Sequence, residues 1–109
     1  MSEPQRPQRR LDAYVHGTLD QAELAKLIDA CALTVDALGT FCPEPLIRTQ
    51  NAMAGLATGD IAMILADDAG IELDLPAWCI STKNEYLGVL REERQLRAFI
   101  RRAQGAHQP

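Results

Sequence analysis

One cysteine stands where a thiol could do chemistry. Cys42 follows the apolar run Leu33–Leu38 and the turn Gly39-Thr40-Phe41, and it precedes Pro43-Glu44-Pro45 and a helix-like stretch. That order places the thiol at the start of a helix, where unsatisfied N–H groups and the helix dipole favour the nucleophilic thiolate. Pro43 has no N–H to offer, so the field of the helix rather than a nest of amides acts on the sulfur. Glu44 opposes activation, because a nearby carboxylate raises a thiol pKa. Pro43 fits the first helical position, with Cys42 as the N-cap or the residue beside it, and Pro45 is still early enough to be tolerated.

The other residue types narrow the chemistry. A cysteine hydrolase needs a histidine as base, and the two histidines, His16 and His107, lie in or near the tails. Cys31, Cys42 and Cys79 have no paired spacing for zinc, and no CxxC dithiol occurs. Their odd number at wide spacing is not a disulfide framework, which points to free thiols in a reducing cytoplasm. Cys31 and Cys79 each end an apolar helical stripe, and their default role is that of small buried hydrophobes. Cys79 is also the candidate second thiol. No phosphate-binding glycine pattern is present, so no cofactor is expected. The formal charge of −4 argues against nucleic-acid binding. No long apolar run follows the polar N-terminus, so neither a signal peptide nor a membrane span is expected. A lone thiolate without base, metal or cofactor is well suited to accepting a sulfur atom as a persulfide and handing it on. Specificity then rests on protein docking around Cys42.

The elements that must position this thiol follow from periodicity. Residues 1–17 are expected to be a disordered tail, and 18–31 an amphipathic helix. That helix would start at a Thr18–Gln21 capping box and carry the stripe Leu24, Leu27, Ile28 and Cys31. It is a candidate cover for a sheet face, or a surface for self-association or a distinct partner. Residues 32–103 read as β-α-β-α-β-β. Leu33, Val35 and Ala37 alternate with polar residues as a strand, and Leu46, Ile47, Met53 and Leu56 mark the first helix. Ile61–Ala66 is a strand buried on both faces. Asp67-Asp68 would cap a second helix with the stripe Ile71, Leu75, Trp78 and Cys79, kinked or divided at Pro76. Tyr86–Leu90 and Leu96–Ile100 form two further strands around the turn Arg91–Gln95, and 104–109 is a tail. The expected fold is an α/β, two-layer (α+β) sandwich, with a four-stranded mixed sheet, both helices on one face and an N-terminal helical extension.

The residues Gly39, Cys42-Pro43-Glu44-Pro45, Gly59-Asp60, Ala66-Asp67-Asp68 and Asp74-Leu75-Pro76-Ala77-Trp78-Cys79 together resemble the TusA/SirA family of sulfur-carrier proteins over about 32–102. The Cys-Pro-x-Pro element between strand and helix is the specific part. The resemblance implies that Cys42 carries persulfide sulfur from a cysteine desulfurase or rhodanese-like donor to an acceptor protein, in tRNA thiolation, cofactor sulfuration or sulfur metabolism. That is a sulfurtransferase-type relay without an independent turnover reaction. Relatives often carry a basic cluster after the motif. Here Arg48 alone remains as a candidate docking residue, with Gln50 and Asn51 beyond it. Two alternatives remain open: a redox or regulatory switch using Cys42 and Cys79, and a non-enzymatic adaptor on the same fold.

Overall fold

The computed structural model describes residues 17–41 and 43–103. Its elements are α1 (Gln21–Leu27), β1 (Leu33–Asp36), α2 (Glu44–Met53), β2 (Ile61–Ala66), α3 (Ile71–Thr82), β3 (Glu85–Arg91) and β4 (Leu96–Arg101). The strands form one mixed sheet in the order β1-β2-β4-β3. β1 and β2 are parallel, as a strand–helix–strand connection requires, and β4 runs antiparallel to both β2 and β3. The expected α+β fold with a four-stranded mixed sheet is therefore the observed one.

Strand alternation divides the apolar side chains between two cores. Val35, Ala62, Ile64, Ala66, Tyr86, Val89, Leu96, Ala98 and Ile100 face α2 and α3, which contribute Met53, Ile71, Leu75 and Cys79. Met63, Leu87 and Phe99 point to the opposite face, where Leu24 of α1 covers them with Leu27, Ile28 and Cys31 at its edge. The helical extension thus forms a third layer, and its apolar stripe is used within the chain.

The extension differs locally from the expected helix. Thr18 and Leu19 both donate their N–H groups to the Leu87 carbonyl at 3.1 Å, so those residues are tied to β3 rather than helical. The capping box is Asp20–Glu23: Glu23 N–H donates to Asp20 Oδ1 at 2.9 Å, and Asp20 N–H donates to Glu23 Oε1 at 3.0 Å. Cys31 follows the end of the helix, half-buried rather than fully buried, with its thiol donating to the Ile28 carbonyl. Just before α1, Gly17 has φ +87° and backs onto the β3 bulge. A Cβ at this position would lie 2.3 Å from the Leu87 carbonyl oxygen.

Three further expectations are corrected. Asp67-Asp68 does not cap α3. Its N-cap is Gly70, while Asp68 Oδ1 accepts from the Gly70 N–H at 3.0 Å in a turn before the helix. Pro76 neither divides nor ends α3, which is a single helix through Thr82. The ladder bond that a proline removes there is the one to the Glu72 carbonyl, near the helix start, and the buried residues Ile71, Leu75 and Cys79 hold both halves to the sheet. Ile47 is not on the buried face of α2. It is 46% exposed, and the buried positions are Pro45, Thr49 and Met53. Of the tails expected at 1–17 and 104–109, residues 1–16 and 104–109 lie outside the described residues.

Candidate functional site

The site is built where β1 ends, and parallel pairing brings the end of β2 beside it. Ala37 N–H donates to the Leu65 carbonyl at 2.8 Å, extending the ladder one residue past β1. The chain then turns: Leu38 N–H donates to Asp36 Oδ1 at 3.1 Å, and Thr40 Oγ1 donates to the Ala37 carbonyl at 2.7 Å. Gly39 takes φ +76°, a conformation that glycine adopts without steric cost. Its N–H is received by the Asp67 carboxylate, with both oxygens at 3.1 Å. Asp67 thus clamps the loop that leads to Cys42. Nothing local in the sequence links two residues 28 positions apart; only the β1–β2 pairing does.

Cys42, the residue expected to carry the chemistry, lies outside the described residues. Its neighbours frame it. Phe41 is 76% exposed. Pro43 is the N-cap of α2, with φ −97° and ψ 11°, and makes no side-chain cap. The helix therefore begins one residue later than expected, with Glu44 first and Pro45 second. A proline at the N-cap loses nothing, since that N–H has no role in the helical ladder. In the first turn, Glu44 N–H donates to the Phe41 carbonyl at 2.8 Å and Pro45 has no N–H. The Glu44 amide is thus occupied and Pro43 and Pro45 have none to offer, while the dipole of α2 still favours an anion at this end. Pro45 is buried, and its carbonyl accepts from Thr49 Oγ1 at 2.8 Å.

Glu44 and Arg48 are an i,i+4 ion pair, Nε to Oε2 at 2.8 Å, with both side chains partly exposed. Arg48 also donates from Nη1 to the Asp36 carbonyl at 2.8 Å. The guanidinium thus links helix α2 to the end of β1 and balances the charge of the Glu44 carboxylate.

Cys79 lies on the buried face of α3 and is 1% exposed. Burial pushes its thiol up to about 12, so it is held as the neutral form. Beside it in the same core, Tyr86 is also shifted upward, by burial first and then by the neighbouring Cys79 and Glu72. The Tyr86 hydroxyl and Trp78 Nε1 are buried and find no hydrogen-bond partner among the described residues. Among those residues no group of His, Cys, Asp and Glu could hold a metal ion, and no helix is long and apolar enough to cross a membrane.

A small mixed sheet with helices packed on it, and a Cys-Pro-x-Pro segment between β1 and α2, define the class of this domain as a small α/β fold with a cysteine motif at a helix entry. The model of the family described as "Sulfurtransferase TusA" matches residues 33–102, and the chain belongs to that family. It is 41% identical over 75 residues to "Putative sulfur carrier protein YrkF" of Bacillus subtilis (strain 168), covering 69% of this chain and 40% of that one. It is 32% identical over 76 residues to "Putative sulfur carrier protein" of Aquifex aeolicus (strain VF5), covering 70% of this chain and 39% of that one. The chain therefore matches about two fifths of the length of these curated relatives. A solved SirA-like protein from Desulfitobacterium hafniense is 30% identical, with a TM-score of 0.49, covering 65% of this chain and 97% of that one.

Proposed function

We propose that the chain is a persulfide relay whose carrier residue is Cys42. The family supports a sulfur carrier. The observation that bears most directly on the residue is the entry to α2: an exposed Phe41 and an N-cap Pro43 flank Cys42, and Asp67 clamps the loop before it. In the loading step the Cys42 thiolate attacks the terminal sulfur of a donor persulfide. A new S–S bond forms, the donor S–S bond breaks, and the donor leaves as a thiolate. In the unloading step a nucleophile of the acceptor protein attacks the outer sulfur, and Cys42 leaves as a thiolate. Neither step needs an external oxidant or a metal.

Donors of the cysteine desulfurase or rhodanese type, and acceptors in tRNA thiolation, cofactor sulfuration or sulfur metabolism, fit this chemistry in the cytoplasm. The deep burial of Cys79 and its raised pKa support a core role for it rather than that of an exchanging partner of Cys42. Intact mass after incubation with a cysteine desulfurase and cysteine tests the reading. The native chain gains the mass of one sulfur atom, reversibly with dithiothreitol, and Cys42→Ser gains none. Loading of Cys42→Ser to the native extent overturns it.

A further inference from the structure

The surface around the thiol loop combines apolar groups with an acidic rim. Leu38 and Phe41 in the loop are 37% and 76% exposed, and Ile47 in the first turns of α2 is 46% exposed. α3 starts after the end of β2, at the same end of the sheet, and Leu73 in its first turn is 65% exposed. Scattered exposed hydrophobes are ordinary, but several of them at one end of a sheet mark an interaction surface. Asp36 and Asp67-Asp68 stand at the ends of β1 and β2, and Glu44 and Asp74 lie in the first turns of α2 and α3. Arg48 is the cation among them, and it is held by Glu44 and the Asp36 carbonyl. The acidic character continues into a cleft of about 240 Å³ lined by Asp67, Glu92, Glu93, Arg94 and Gln95. There Glu92 is paired with Arg97, and Glu93 lies beside Arg94. Beyond Arg48, α2 offers Gln50 and Asn51 and no further cation.

Resting on the persulfide-relay reading, we propose that this face docks a sulfur-exchanging protein whose own contact surface is apolar at its centre and rimmed by lysine and arginine. Phe41, Leu38, Ile47 and Leu73 meet the apolar centre, and the carboxylates steer the basic rim. Opposite charges at a rim act mainly on the association rate and on the rejection of wrong partners, and salt screens them.

The test uses the full chain carrying Cys31→Ser, so that the deeply buried Cys79 is the only thiol besides Cys42. Two synthetic peptides each carry one cysteine as a mixed disulfide with 2-thiopyridine, one flanked by Lys and Leu and the other by Glu and Leu. The Cys42 thiolate attacks the peptide sulfur, forms the protein–peptide disulfide and releases pyridine-2-thione, whose absorbance gives the rate. The basic peptide reacts faster by about tenfold or more at low ionic strength, and the preference shrinks to about twofold at about 1 M salt. Asp36→Asn with Asp68→Asn and Asp74→Asn lowers the preference, and Phe41→Ser slows both peptides alike. Equal or faster reaction of the acidic peptide, or a preference that salt leaves unchanged, overturns the proposal. A chain that loads sulfur on Cys42 but shows no charge preference keeps the relay reading and loses this surface. A chain with the preference but no sulfur loading does the reverse.

Discussion

The Asp67 carboxylate, at the end of β2, accepts the Gly39 N–H on both oxygens at 3.1 Å. One side chain thereby fixes the loop that delivers the chain to Cys42, from a strand that shares no local sequence with it. Asp67→Ala removes one solvent-exposed hydrogen bond to a charged acceptor, which is expected to cost about 1 kcal/mol or less of global stability. Protection of the Gly39 amide from hydrogen exchange should fall much further than that of the sheet amides. Denaturant titration and amide exchange by NMR check the two effects. Unchanged Gly39 protection would show that the clamp is not what orders the loop.

Two glycines with positive φ should respond differently to a methyl group. At Gly39 a Cβ meets nothing within 4 Å, so Gly39→Ala carries only the conformational cost of a left-handed alanine, roughly 1–2 kcal/mol. At Gly17 the same Cβ would lie 2.3 Å from the Leu87 carbonyl oxygen. Gly17→Ala must therefore push 17–31 off β3, and it is expected to cost more than Gly39→Ala and to expose Leu87 and Phe99. Denaturation midpoints, with binding of a hydrophobic dye as second readout, compare them.

The buried pair Cys79 and Tyr86 sets an alkaline limit. Both groups have folded-state pKa values raised by burial, so the neutral forms are bound more tightly in the folded state. Their contribution is fully present below the unfolded-state values and is lost as pH rises. For Cys79 the window runs from the ordinary value of 9.0 to about 12. Within it Cys79 lowers stability by about 1.4 kcal/mol per pH unit, and Tyr86 adds to the slope only above its own ordinary value of 10.0. Urea midpoints measured from about pH 8 to about pH 11 should show this decline, and Cys79→Val should remove the cysteine part. Tyr86→Phe keeps the ring and deletes a buried hydroxyl without a partner among the described residues, so stability near neutral pH should stay level or rise by up to about 1 kcal/mol.

The Glu44–Arg48 pair should tune Cys42 modestly. Glu44→Gln removes a neighbouring anion and Arg48→Gln unmasks it. Iodoacetamide alkylation of Cys42 is expected to quicken in the first variant and slow in the second, each by about twofold, the scale of an exposed i,i+4 pair. Equal rates in both variants would show that this pair does not tune the thiol.

Much of the scaffold is legible in the residues. Alternation in Leu33–Ala37 and Leu96–Ile100, the apolar run Ile61–Ala66 and the stripe of α3 locate the sheet and its helices, because burial on one face imposes a period. Boundaries set by hydrogen bonds are less visible. Thr18-x-x-Gln21 and Asp20-x-x-Glu23 are both capping-box patterns, and the choice between them is made by Leu87, which takes the Thr18 and Leu19 amides. Pro43 moves from first helical position to N-cap for a similar reason, since the Phe41 carbonyl takes the Glu44 amide. Asp67 reads as a cap because helix starts favour Asp, and its true partner becomes visible only when β1 and β2 lie side by side. The outward turn of Ile47 and the exposure of Phe41 are likewise properties of packing, not of spacing.

The most direct test is the mass of the intact chain after exposure to a cysteine desulfurase and cysteine, followed by fragment mapping. A persulfide relay through Cys42 predicts one added sulfur atom on that residue, none on Cys79, and full loss of the addition on reduction. An added atom on another cysteine, or undiminished loading of Cys42→Ser, would contradict it.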